Sequence, residues 1–244
     1  MENLAEKLEQ PSGPPAKGSL WRLQGIFFQP KETFQEIAQK PTWLIAAILC
    51  VIIGSIGIIW VMETIGFENI MMQQAQSQGR EMTEEQIQMM NSPTMKAIRY
   101  GTMIIGTPIV MLLTAGLLLA LFWLIGSDAK FNRVFSVVVH SLFASTIVST
   151  VISALVVTLA PDPTELDIQN LVASHLGAFV SRTESPVLFA ALSSVDILTF
   201  YYLFLLSLGM SVVGRKSFKA SAAMVLVLWL VWVGLKTGGT ALFT

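Results

Sequence analysis

Long stretches of this chain carry no charge, and that constrains its fold more than any other feature. Asp, Glu, Lys and Arg are absent from Pro41–Met62, from Tyr100–Ser127 and from Val134 up to Asp162. A fourth run, Ser185–Gly214, is interrupted only by Asp196. A fifth, Ala220–Leu235, is short at 16 residues but extends through Phe218 on one side and past Lys236 to Leu242–Phe243 on the other. A hydrocarbon core about 30 Å thick takes on the order of 20 residues at 1.5 Å rise each. Without water to satisfy a bare backbone, each crossing is helical. The expected fold is therefore all-α: a bundle of five transmembrane helices at about 42–62, 100–126, 134–160, 187–213 and 218–238.

Composition agrees. Only 13% of residues are charged, against roughly a quarter in soluble domains. The formal charge of −1 supplies no basic field for nucleic acid, so no nucleic-acid partner is expected. A single cysteine, Cys50, excludes an internal disulfide framework and a cysteine-based zinc site.

Lys and Arg set orientation. Ten fall in the N-terminal segment and the two tight loops: Lys7, Lys17, Arg22, Lys31, Lys40, Lys130, Arg133, Arg215, Lys216 and Lys219. Five fall on the other side: Arg80, Lys96, Arg99, Arg182 and Lys236. This bias places the N-terminus in the cytoplasm and the C-terminus outside. Trp43 and Trp60, roughly 25 Å apart at helical rise, bracket the first span as interfacial anchors.

Residues 1–19 mix charge with Gln, Ser, Gly and Pro and read as a disordered cytoplasmic tail, followed by a membrane domain over 20–244. In the segment 20–40, Trp21, Phe27, Phe28 and Phe34 are too few to cross and too apolar to float. An amphipathic helix on the cytoplasmic surface is expected there, ending at Pro41, with packing on cytoplasmic loops as the alternative. The methionine-rich first outer loop reads as adaptable packing rather than a copper site, since no His or Cys accompanies it. Thr83-Glu84-Glu85-Gln86 is a capping box that starts a short helix. In the second outer loop, Thr164 is expected to cap a helix over Glu165–Ser174.

Ionisable groups inside spans are functional candidates by default, and there are two, His140 and Asp196. They differ in depth by roughly 15 Å at helical rise, which argues against a direct relay. Asp196 lies near the outer interface, where it either pairs with Arg99 or faces water. For His140 a hydrogen bond to a neighbouring span is expected; a pH-responsive group is the alternative. Ser141, Ser145, Ser149 and Ser153 recur every four residues beside Thr146 and Thr150. Small hydroxyl residues at this spacing suit close helix packing; a conduction path would use similar residues but lacks an accompanying charged ring. Pro108 is expected to kink the second span. No phosphate loop, H-E-x-x-H pair, G-x-S-x-G elbow or nucleophile-plus-base set occurs, so neither an enzyme, a metal site nor a cofactor is expected.

The stretch Leu23-Gln24-Gly25-Ile26-Phe27-Phe28-Gln29-Pro30-Lys31-Glu32-Thr33-Phe34-Gln35-Glu36-Ile37, followed by Pro41-Thr42-Trp43, resembles the opening of bacterial Yip1-family proteins. Phe131-Asn132-Arg133-Val134-Phe135-Ser136-Val137-Val138 is similar to that family's third-span start. Val195-Asp196-Ile197-Leu198-Thr199-Phe200 and Leu208-Gly209-Met210-Ser211 are similar to its fourth span. Leu198 and Phe200 depart from the family, which often has Phe and Trp there. The resemblance implies a membrane protein without catalytic residues, in a family whose eukaryotic members act in ER–Golgi traffic with small GTPases. The bacterial character of the motifs points to a bacterial plasma (inner) membrane.

Together these readings favour a scaffold or adaptor that organises membrane lipids or an unidentified membrane or cytoplasmic protein; a homo-oligomer is left open. Trp21, Phe27, Phe28 and Phe34 would face lipid or partner, and Lys130, Arg133, Arg215, Lys216 and Lys219 would meet anionic headgroups. Setting topology is the alternative role for these basic residues. A transporter, channel or lipid-translocating component is the competing function, using Asp196 and the serine face of the third span.

Overall fold

The computed structural model describes residues 18–77 and 81–243, so the expected tail at 1–19 lies almost wholly outside the described residues. Two short helices, α1 (Ser19–Phe28) and α2 (Pro30–Gln39), precede the long helix α3 (Leu44–Ile65). Helices α4 (Phe67–Ser77) and α5 (Glu84–Met90) follow, then α6 (Pro93–Leu124) and α7 (Phe131–Leu159). The chain ends in α8 (Pro186–Leu192), α9 (Ile197–Val213) and α10 (Phe218–Phe243). No strand occurs among the described residues.

Four helices are long and apolar enough to cross a membrane: α3, α6, α7 and α10. Their apolar character runs all the way round, as a lipid-dissolved helix requires. Residues such as Ile52, Ile105, Leu113, Leu155 and Leu230 are exposed on the outside of the bundle. The expected fourth span is not one helix. It breaks between Leu192 and Ile197, leaving α9 with 17 residues. The cause is local: Asp196 takes an extended backbone and caps α9 through its own carboxylate.

Helix α7 is the centre of the bundle, with α3, α6 and α9 packed on it. The α3–α7 seam pairs glycine with threonine. A Cβ on Gly54 would lie 3.2 Å from Thr146 Cγ2, and one on Gly57 2.7 Å from Thr150 Cγ2. Cys50 Sγ lies 3.4 Å from Thr146 Oγ1 in the same seam. Small residues let helices approach closely when lipid supplies no hydrophobic drive. The threonines, not the serines, make the contact.

The segment 20–40 forms two helices rather than one continuous helix, the second starting at Pro30. Pro30 lacks an N–H and restricts Gln29 before it, so the chain turns there and α2 restarts with Pro30 in its first turn. This hairpin is seated in the end of the bundle. Ile26, Phe34 and Ile37 are fully buried with Val134, Val137, Leu206 and Met210. The approach is closest at Gly209, where a Cβ would sit 2.5 Å from Val137 Cγ1 and 2.8 Å from Phe34 Cε1. Any larger residue there would push the hairpin off α9.

The Thr83 capping box forms as expected, with reciprocal bonds between Thr83 and Gln86. The helix expected at Glu165–Ser174 does not. Asp162, not Thr164, caps a single 3-10 turn over Pro163–Glu165, and the chain then runs on irregularly. Helix α6 runs unbroken through Pro108 and starts at Pro93, capped by Ser92.

Candidate functional site

The richest polar chemistry lies at the two ends of the bundle. At the hairpin end, Arg22 points inward from α1 and is 1% exposed. Its Nη1 donates to the Lys40 carbonyl and to Thr42 Oγ1, both at 2.6 Å. Nη2 donates to the Glu36 carbonyl at 3.4 Å and lies 3.8 Å from the Glu36 carboxylate. One guanidinium thus ties α1 to the end of α2 and the start of α3. Burial pulls its pKa below the ordinary arginine value, and the Glu36 charge opposes that shift. Arginine stays protonated through such a change, so a charged fork is held inside protein.

Around this lock the interhelical loops tie together. Ser127 Oγ donates to the Gly214 carbonyl at 2.9 Å, and Lys216 Nζ donates to the Gly126 carbonyl at 2.9 Å. Lys130, Arg215 and Lys219 are exposed, whereas Arg133 and Lys216 are half-buried. Lys216 is therefore partly structural. Of the aromatic candidates, Phe34 is buried, Trp21 and Phe27 are half-buried, and Phe28 is 81% exposed. Phe27 packs edge-on against Phe143 of α7. Leu20 and Leu124 are exposed as strongly as Phe28, giving this end apolar tips beside basic groups.

His140 is buried, and its Nδ1 donates to the Ser136 carbonyl at 2.8 Å, one turn back in α7. The expected bond to a neighbouring span is replaced by this local one. Ser141 is buried with an unpartnered hydroxyl, while Ser145 and Ser149 are half-buried.

The other end is built on the α8–α9 break. Asp196 accepts from the Thr199 N–H at 2.8 Å and from Thr199 Oγ1 at 3.1 Å, and Ser174 Oγ donates to its second oxygen. The second loop lies alongside as a strap: Leu176 N–H donates to the Val195 carbonyl, and Ile197 N–H to the Ser174 carbonyl. His175 is buried edge-on against Phe189. From α10, Lys236 Nζ donates to Ser193 Oγ at 2.8 Å and to Ser194 Oγ at 3.2 Å.

The proposed Asp196–Arg99 pair does not form among the described residues. Arg99 instead stacks its guanidinium 3.4 Å above the Phe67 ring, and neighbouring Lys96 pairs with Glu63 at 3.9 Å. Asp196 and His140 are not brought together either; each is satisfied by near neighbours. Among the described residues no three His, Cys, Asp or Glu side chains are grouped as metal ligands.

Sequence reasoning missed Arg22, Ser174 and Lys236. Arg22 and Lys236 did carry a signal, since each is a lone charge between apolar residues. Ser174 carried none.

The Yip1 domain matches residues 25–236, from α1 of the hairpin to Lys236 of α10. The chain belongs to the Yip1 family. No curated protein and no solved structure matches it. The matched range takes in the α2 seat, the α3–α7 seam, the α8–α9 break and the lysine that closes it. With its four apolar helices, this is an integral membrane protein of the Yip1 family.

Proposed function

We propose that this protein is a non-enzymatic membrane scaffold that presents its hairpin end to lipids and to a protein partner. The carrying observation is the Arg22 lock. It fixes a surface-forming hairpin rigidly onto the bundle while Leu20 and Phe28 stay exposed at its edge. Rigid exposed apolar groups beside cationic side chains suit an interfacial platform. On this reading the basic bias argues for a cytoplasmic hairpin end, the bacterial character of the motifs for a bacterial plasma membrane, and α8 and α9 jointly make a fifth crossing that leaves the C-terminus outside.

Photo-crosslinkers at Leu20 and Phe28 test this in native membranes, with Phe179, 87% exposed in the second loop, as control. The scaffold reading expects lipid or protein adducts enriched at the first two positions. Equal labelling at all three would end it.

The α8–α9 break favours a second reading, a transport component, because broken helices line substrate paths in many transporters. Flux through reconstituted protein that Asp196→Asn abolishes would replace the scaffold by this reading.

A further inference from the structure

A groove runs down the side of the bundle between α3, α6 and α7, with a volume of about 590 Å³. Ala47, Val51 and Ile52 of α3, Pro108 and Met111 of α6, and Phe135 of α7 line it. From Trp43 to Ile52 it spans about 14 Å at helical rise, close to one leaflet's share of a 30 Å core. Its rim residues Ile48, Ile52 and Leu112 are each about half exposed, so it opens sideways to lipid.

The mouth lies at the hairpin end and differs chemically from the shaft. Trp43 packs edge-on against Phe135 at 5.0 Å, and Phe131 stacks on Phe135 at 5.7 Å, forming an aromatic collar. Asn132 is the polar residue that lines it. Lys40 and Lys130 are exposed just before Trp43 and Phe131, and Arg133 follows one residue on. The α7 N-terminus has no side-chain cap of its own. Asp128 is exposed in the same loop and offsets one of these charges; Glu36 is engaged with Arg22. By sequence position, three basic residues and one acidic residue flank the collar, a net of two positive charges close in the chain to an apolar shaft about one leaflet deep.

We infer that this groove is a binding site for one anionic phospholipid of the hairpin-side leaflet. An acyl chain lies along α3 and α6, and the phosphate meets Lys40, Lys130 and Arg133. The occupant is a lipid because the groove opens to the bilayer along its length, and it is anionic because the mouth is cationic. The inference rests on the lipid arm of the scaffold reading and narrows it to a single site.

Purified protein is delipidated and titrated with dioleoyl phosphatidylglycerol or dioleoyl phosphatidylcholine, with bound lipid counted by native mass spectrometry and melting followed in parallel. Phosphatidylglycerol should be retained roughly tenfold better and raise the melting temperature. Ala47→Phe, which fills the shaft, should abolish retention of both lipids. The double change Lys130→Gln with Arg133→Gln should remove the preference for phosphatidylglycerol but leave weak binding of either lipid. Should Ala47→Phe aggregate, Ile52→Trp on the open rim carries the same expectation. Equal retention of the two lipids overturns the inference, as does undiminished retention in the filled variants. Conversion from dimer to monomer by the filled variants, with lipid unchanged, would assign the groove to a second copy of this chain instead. If crosslinks at Leu20 and Phe28 persist while retention ignores the groove, the scaffold reading stands and this site falls.

Discussion

The two ends of the bundle solve the same problem in opposite ways. Both must satisfy polar groups where helices stop near the edge of the membrane. At the hairpin end, a buried arginine reaches partners 14 to 20 residues away through its two Nη atoms. At the broken-helix end Asp196 is only half-buried and finds one of its partners just three residues on. Long reach makes the first end rigid and unforgiving. The local caps of the second can be substituted by water or by a similar side chain. The hairpin end should therefore respond to mutation more sharply, and to fewer kinds of rescue.

The largest effect should come from Arg22→Ala. It strands the Lys40 carbonyl and Thr42 hydroxyl and unties α1 from α3, a loss of about 3 kcal/mol for breaking a buried charged network. Arg22→Lys should recover little, since one ammonium cannot reproduce the planar fork. Glu36→Gln should cost far less, because it is the Glu36 backbone carbonyl that accepts the hydrogen bond and the carboxylate pair is long at 3.8 Å. Reversible melting in one detergent checks all three. Equal losses for Arg22→Ala and Glu36→Gln would mean that the ion pair, not the fork, holds the hairpin.

The contrast also explains what could be read from the sequence. The spans at α3, α6, α7 and α10 were legible because about twenty apolar residues without charge admit one solution in lipid. The Thr83 cap was legible because both its partners lie within three residues. The break at Asp196 was not. An acid inside an apolar run reads as an intramembrane charge, and its Ser174 partner lies 22 residues earlier in an irregular loop. In the sequence Arg22 reads as a topology signal, because a count of basic residues carries no direction; only its partners 18 and 20 residues on reveal that it points inward. The serine repeat in α7 marked a face suited to packing, but Gly54 and Gly57 on the opposite helix select Thr146 and Thr150 as the contact. The helix expected after Thr164 failed because Asp162 takes the cap first and the chain then turns to α4, where Gln73 donates to the Leu166 carbonyl.

A second, smaller effect separates structure from charge at the broken-helix end. Asp196→Ala removes the α9 cap and the tie to Ser174, and should cost about 1 kcal/mol. Asp196→Asn should recover most of that, because an asparagine oxygen caps nearly as well as a carboxylate. Charge reversal at Arg99 should not change the cost of either variant, since the two residues do not meet. If the asparagine variant melts as low as the alanine one, the negative charge itself matters here, and the likeness to a simple interfacial cap is lost.

The smallest effect tests the same cap with full solvent around it. Asp162 Oδ1 accepts from the Thr164 N–H at 2.9 Å and from Thr164 Oγ1 at 2.6 Å. These bonds favour the carboxylate and hold its pKa below the ordinary aspartate value. A lowered folded-state pKa contributes stability that is present above the unfolded value and lost as pH falls through the folded one. The Thr164 amide should thus stay protected as the solution passes through the ordinary aspartate range and open only at more acid pH. Hydrogen exchange or the amide chemical shift reads this directly. Asp162→Asn should keep the turn and erase its pH dependence, while global melting stays unchanged in both proteins because the group is fully exposed. Opening within the ordinary aspartate range would mean that the two hydrogen bonds do not persist in water. The comparison with Asp196, which keeps the same cap behind a strap of chain, would then show how much that shelter contributes.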